Sequence, residues 1–413
     1  MIALDEAKRY VLESLAAPSP EVVALDDVLG GVAGEVVLAR ELVPGFANSS
    51  MDGFALRALD TASGSATLRV IGAVYAGDGG SSHVGPGEAA RIMTGAPLPD
   101  GADCVCMKEE ANVEPSGETV RVARTIRAGE FVRFPGEDVA IGQVLVAAGD
   151  ELSPAKVAVL AGQGFASVRA YRRPRVGVIS TGNELARSLG PLQSGQIRDL
   201  NRPLLLALVK ESGCLPVDLG IVHDDYASIA QRLKDGVDDC DAVVSTGGVS
   251  VGDLDHVKAV IAELGGDSAR SLQVAIKPGK PFAFGVVGAR RVPVFGLPGN
   301  PVSTRVSFEL FVRPALRFLA GHRELERPTA NMVLDSALPR ESDGKLHLIH
   351  VVARLHSDGL IHVERAIRQG SHLLSAIAEA NALAMVPEGA DLSSGDTVRA
   401  MILDASQLCA TST

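Results

Sequence analysis

A chain of 413 residues with 46% hydrophobic content is too long for one small core and suggests about two to four domains. Its net charge of −11, with no basic block, excludes the class of proteins that grip nucleic acid by neutralising phosphates. The cysteines Cys104, Cys106, Cys214, Cys240 and Cys409 are odd in number, scattered and without a C-x-x-C, which indicates neither a disulfide framework nor a zinc site.

The N-terminal pattern over Leu4–Leu15 predicts an amphipathic helix with acids in its first turn, not a basic leader. A second helical pattern follows around Val22–Leu29. From Pro44 to about Asp138, short runs such as TLRVIGAVYAG and ETVRVARTI alternate with glycine turns and predict a compact β-rich module. Cys104-Val105-Cys106 reads as part of a strand with both thiols on one face. LSPAKVAVLAGQG predicts a helix capped at Ser153 with Pro154 at its first position, followed by a strand SVRAY.

Residues 174–320 then alternate strand and helix: RVGVIST and a helix after Gly182, RPLLLALVKESG, VDLGIV, YASIAQRLKDG, DAVVST, DHVKAVIAELGG, PVFGLPG, and VSTRVSFELFV interrupted or kinked near Pro314. That order predicts a doubly wound α/β domain with helices on both faces of a parallel sheet. Beyond about residue 325 the pattern returns to β, with LHLIHVVARLHSDGLIHVERA as a hairpin turning at Ser357-Asp358-Gly359 and two closing strands. No apolar run approaches the ~20 residues that span a bilayer, so the expectation is a cytoplasmic protein with no membrane partner.

Four loops lie at or beside strand ends of the α/β segment: 180-STGNEL-185, 245-STGGVSVGD-253, 277-KPGKP-281 and 296-GLPGNP-301. Glycines such as Gly182, Gly247 and Gly248 let backbone N–H groups face an anion. Thr181, Thr246 and Ser250 add hydroxyl donors, Lys277 and Lys280 add positive charge, and Pro298 and Asn300 form a turn. Glu184, Asp253 and Asp255 only accept, which implies a divalent cation or a polar ligand group between acids and phosphate. Gly247 and Gly252 have the P-loop spacing, but Asp253 stands where the P-loop lysine belongs. No G-x-G-x-x-G follows the first strand, and the nine histidines show no H-x-x-x-H spacing.

Together, PGFANSSMDGFAL, GEAARIMTGAPLPDGAD, RRPRVGVISTGNEL, STGGVSVGDLDHVK, AIKPGKPFAFG and FGLPGNPVS resemble the MoeA family of molybdopterin molybdenumtransferases, related to the E domain of gephyrin. The likeness covers nearly the whole chain, with its motifs in order. It implies four domains: an elongated linker and dimerisation domain of helices and strands (1–43 plus 139–173), a β-rich domain inserted in it (44–138), the α/β molybdopterin-binding domain (174–324) and a small C-terminal β-barrel (325–413). The implied activity is the last step of molybdenum cofactor synthesis, in which molybdenum from molybdate enters adenylylated molybdopterin and AMP leaves, with Mg²⁺ as cofactor. The implied assembly is a homodimer with its active cleft shared between subunits. Contacts with a molybdopterin adenylyltransferase and with molybdoenzyme chaperones belong to the same expectation.

The family's functional positions carry over to Asp52, Thr94, Asp138, Glu184, Asp224, Lys277 and Ser371 and to the 246–255 loop, with Asp52, Glu184 and Asp224 as candidates to hold Mg²⁺ or molybdate. The chain departs from the family at Gln273, where a second lysine is frequent, at His350, where an arginine is common, and at Phe54, where tyrosine is usual. The alternatives are a molybdopterin adenylyltransferase, whose single domain shares the T-G-G-x-S loop, and a catalytically weak gephyrin-like scaffold.

Overall fold

The computed structural model describes residues 1–79, 82–188, 190–248, 255–338, 342–366 and 374–408. They fall into two compact units, one of Met1–Glu35, Ala148–Pro154 and Ser167–Thr413, the other of Val36–Ala147 and Ala155–Ala166. No helix among the described residues is long and apolar enough to cross a membrane.

The first unit is built on a mixed sheet of β1 (Arg175–Thr181), β2 (Leu215–Val222), β3 (Ala242–Thr246), β4 (Arg270–Gln273), β5 (Pro281–Val287) and β6 (Val292–Leu297). The order is β2-β1-β3-β6-β5-β4; the first four are mutually parallel, and β5 and β4 add an antiparallel edge. Alternation along each strand feeds two cores. On β3, Ala242 and Val244 join one core with Leu205, Leu208 and Val209 of the helix Asn201–Glu211. Val243, between them, joins the other with Ile229 and Leu233 of Tyr226–Asp239 and Val257 and Ile261 of His256–Gly265. The N-terminal helix Leu4–Ser14 seals the first core with Ala7 and Val11.

Two expected elements differ. Val22–Leu29 forms the strand Glu21–Ala24 and a short 3-10 turn Leu25–Asp27, because Glu21–Ala24 pairs antiparallel with Ser167–Tyr171. Sheet pairing overrides a weak helical period there. No helix starts after Gly182; the chain makes a two-strand ladder, Leu185–Ala186 with Ile197–Arg198, before the helix at Asn201. Near Pro314 the helix neither stops nor breaks. It widens into a π-helical turn, Phe308–Val312, between Pro301–Ser307 and Arg313–Leu319. Proline has no N–H and crowds the carbonyl four residues back, and a wider turn relieves both.

That turn carries Glu309 into the interior, 1% exposed. Its carboxylate accepts from Arg327 Nε (3.0 Å) and Nη2 (3.2 Å), with Arg305 Nε 3.2 Å away. Arg327 also donates to Glu211 Oε1 at the end of the Asn201–Glu211 helix and to the Leu403 carbonyl, each at 2.7 Å. Leu403 follows the last strand of a closed barrel of β7 (Thr329–Leu334), β8 (Leu346–Leu355), β9 (Ile361–Arg365), β10 (Ala382–Val386) and β11 (Thr397–Ile402). The ring closes through the antiparallel pairing of β8 with β10. Ile276–Lys277 extends it beside the start of β8. His350 of β8 is buried, and burial followed by the field of Arg305 pushes its imidazole down to about 4. It is therefore neutral at pH 7 and no substitute for an arginine.

The second unit holds a six-stranded sheet in the order Cys104–Met107, Gly53–Leu56, Glu88–Ile92, Ala66–Val74, Thr119–Val122, Ala111–Val113. Cys104 and Cys106 face one core and Val105 the other, as the alternation predicts. Phe54 packs beside the two cysteines, where a tyrosine hydroxyl would need a polar partner.

Replacing Glu309 by glutamine removes the carboxylate that Arg305 and Arg327 share and leaves Arg327 only Glu211 as an ion-pair partner among the described residues. We expect Glu309→Gln to cost about 3 kcal/mol of stability, read as an earlier thermal and urea transition; an unchanged transition contradicts this account of the buried cluster.

Candidate functional site

The sheet has its topological switch between β1 and β3. The chain leaving β1 reaches a helix on one face, Asn201–Glu211, and the chain leaving β3 reaches a helix on the other, His256–Gly265. Loops diverging in this way leave a crevice at the carboxyl ends of the strands.

The crevice floor is knit by hydroxyls, amides and bare backbone. Gly247 sits at φ +92°, and a Cβ there would stand 2.4 Å from the Thr181 carbonyl oxygen and 2.8 Å from Thr181 Oγ1. Gly248, at φ +63°, would meet Val257 at 2.8 Å. Only glycine adopts these conformations this close to a neighbour at low cost. Thr246 Oγ1 donates to the Pro298 carbonyl (3.1 Å) and accepts from Asn201 Nδ2 (3.0 Å), which also donates to the Gly299 carbonyl (2.7 Å). Thr304 Oγ1 lies 2.6 Å from the Pro298 carbonyl and 3.0 Å from that of Asn300. The ends of β1, β3 and β6 are thereby fixed together, and Thr181, Gly182, Thr246, Gly247, Gly248, Pro298 and Asn300 all belong to this floor.

Beside it stand acids. Asn183 Oδ1 accepts from the Asp224 backbone N–H at 3.2 Å, tying the loop after β1 to that after β2. Asp224 Oδ1 and Asp255 Oδ1 are shielded from solvent and accept no hydrogen bond. Lys258 Nζ lies 2.7 Å from Asp255 Oδ2, yet burial holds the Asp255 carboxyl above its ordinary range, with the charge of Asp224 adding to the shift. Two inward carboxylates with orphaned oxygens fit a hard dication, which takes oxygen ligands. Glu184, next in the same loop, is exposed and folds back over Gly182, where a Cβ would stand 2.7 Å from its Oε1.

The lysines are placed differently. Gly279 of the KPGKP turn packs against the helix after the PGNP loop, with Ser307 Oγ 3.0 Å from where its Cβ would be. Lys277 is half exposed, its Nζ 3.8 Å from Asp343 Oδ2. Asp343 is engaged more closely by Lys345 Nζ (2.8 Å) and His347 Nε2 (2.9 Å), which leaves Lys277 free to swing. Lys280 is half-buried in the same turn, its carbonyl accepting from the Val274 N–H. Gln273 ends β4 with its side chain exposed, so no second cation stands four residues before Lys277.

Asp52, Thr94 and Asp138 lie in the other unit. Asp52 Oδ1 accepts from both the backbone N–H (2.9 Å) and the hydroxyl (2.8 Å) of Thr94, and these bonds, backbone first, hold its carboxyl below the ordinary range. Asp138 is exposed, anchored by its N–H to the Val43 carbonyl. Ser250, Asp253 and Ser371 lie outside the described residues. Asn201 was not visible as a site residue in the sequence: the asparagine of RDLNRP reads as a helix start, and only the fold brings its amide to Thr246.

Three families match consecutive parts of the chain: the MoeA N-terminal region (domain I and II) at residues 2–164, a probable molybdopterin binding domain at 177–318, and the MoeA C-terminal region (domain IV) at 337–403. A molybdopterin molybdenumtransferase of Haemophilus influenzae is 36% identical over 96% of this chain and 98% of its own length. One from Bacillus subtilis is 34% identical over 97% and 94%. The crystal structure of a molybdopterin biosynthesis MoeA protein from Pyrococcus horikoshii superposes with a TM-score of 0.82 at 30% identity, covering 98% of this chain and all of that one. The chain belongs to the MoeA family, the molybdopterin molybdenumtransferases.

Proposed function

We propose that this protein catalyses the final step of molybdenum cofactor synthesis, inserting molybdenum from molybdate into adenylylated molybdopterin with release of AMP. The observation that carries the reading is the β1/β3 crevice, where glycine backbone and threonine hydroxyls stand beside the orphaned carboxylate oxygens of Asp224 and Asp255. Bare glycine backbone at positions 247 and 248 leaves room for phosphate oxygens to approach the strand ends. Asp224 and Asp255, with Glu184 at the rim, would hold Mg²⁺. When bound, that ion supplies charge neutralisation to the phosphates during their cleavage. Lys277, itself half exposed, brings positive charge to an oxyanion, molybdate or phosphate. With Gln273 and a neutral His350 in this chain, it carries more of that task alone.

The reading includes a cytoplasmic homodimer, in which Asp52 and Thr94 of one protomer serve the crevice of its partner, and the division 1–43 plus 139–173, 44–138, 174–324 and 325–413 as its domains. Contacts with the adenylyltransferase that makes the substrate and with molybdoenzyme chaperones fit a pathway that hands on a labile product.

Purified protein given adenylylated molybdopterin, Mg²⁺ and molybdate should release AMP only when molybdate is present. Release without molybdate dependence, or adenylylation of molybdopterin from ATP, contradicts the proposal. Asp52→Ala and Lys277→Ala chains, each inactive alone, should regain part of the activity when mixed; no recovery removes the shared cleft. Finally, burial opposes charge on Asp255, so its folded-state penalty grows as pH rises above the ordinary carboxylate range. Asp255→Asn should therefore melt roughly 2 °C higher than wild type without Mg²⁺ and gain nothing from added Mg²⁺. A lower melting point, or a retained Mg²⁺ response, counts against the acid-pair assignment.

A further inference from the structure

The hairpin between β8 and β9 gathers side chains that the proposed reaction leaves unused. His356 closes the turn, its N–H donating to the Leu360 carbonyl at 2.9 Å, and His362 stands opposite Arg354 on β9. His356 and His362 are thus diagonal neighbours on one face, their rings parallel within 12° and 4.0 Å apart between centroids. Asp335, the first residue past β7, is fixed by its N–H to the Val363 carbonyl and brings Oδ1 to 2.7 Å from His362 Nδ1. One ring nitrogen of each histidine and one Asp335 oxygen lie within 4.8 Å of one another.

We propose that Asp335, His356 and His362 form a binding site for a first-row divalent transition cation of the zinc class, on the barrel and not in the α/β crevice. Two imidazoles and one carboxylate suit zinc and its neighbours, whereas Mg²⁺ takes oxygen ligands. A tetrahedral centre with bonds of about 2.0 Å sets its ligands roughly 3.3 Å apart. The His362–Asp335 pair stands at 2.7 Å and no pair of ligand atoms is more than 4.8 Å apart, so side-chain rotation suffices to reach that value. The outer shell is already in place. His362 Nε2 lies 3.0 Å from Asp358 Oδ2, and Asp358 Oδ1 accepts from the Leu360 N–H at 2.9 Å. A carboxylate holding Nε2–H fixes the tautomer that offers Nδ1 to a metal. The ligands come from the ends of β7, β8 and β9, so a bound ion clamps the hairpin tip to β7 and leaves a position for water.

The test uses full-length protein stripped with EDTA and titrated with Zn²⁺, and with Co²⁺ as a coloured reporter, in excess Mg²⁺. We expect one Zn²⁺ per chain, a visible ligand-field band with Co²⁺ and a higher melting temperature. His356→Ala removes a ligand and leaves the carboxylate contacts of His362 intact. It should weaken Zn²⁺ binding by about tenfold or more and abolish the melting shift, with Asp358→Asn, in the outer shell, losing about tenfold. Circular dichroism checks that both variants fold. No Zn²⁺ binding, or binding unchanged in His356→Ala, overturns the proposal and leaves the trio as a carboxylate–imidazole clamp on the hairpin.

Discussion

The loop leaving β3 turns back at Gly247 over the end of β1, so close that any side chain would meet the Thr181 carbonyl. The rest of the site depends on that approach. The neighbours β1 and β3 send their chains to opposite faces of the sheet, and the gap between the departing loops is lined by what those loops can offer. A side chain at position 247 would push the ends of β1 and β3 apart. Thr246, Asn201 and Thr304 then lock the β6 turn onto the same floor.

Charge is distributed unevenly around this frame. In the crevice, burial disfavours the ionised form of Asp255. Positive charge stands on the half-exposed Lys277, whose strand also pairs with the barrel. On the other side of the same helix system, Glu309 and Arg327 tie the π-turn, the Asn201–Glu211 helix and the end of β11 into one network. The proline that forces the wide turn is thus also what delivers a carboxylate to the arginine joining sheet and barrel.

Much of this was legible from residue pattern. Strong amphipathic periods, as in Tyr226–Asp239, and β-branched runs, as in Ala242–Thr246, formed the elements their spacing implies, because burial and local propensity agree there. Val22–Leu29 misled because a distant strand, Ser167–Tyr171, decides its conformation, and single-sequence periodicity carries no information about distant partners. The residues after Gly182 misled because an STG turn resembles a helix cap when its surroundings are unknown. Individual crevice loops were visible, but their union through Asn201 was not, since that residue lies 45 positions from Thr246. The pairing of His356 with His362 was equally hidden. It arises from a cross-strand diagonal and not from helical spacing, so a search for H-x-x-x-H passes over it.

Hydrogen–deuterium exchange with and without adenylylated molybdopterin, in Mg²⁺, tests the central claim most directly. The crevice account predicts that protection concentrates in the loops following β1, β3 and β6, around residues 181–184, 246–248 and 298–300. Protection confined to other surfaces, or none at saturating substrate, would contradict it.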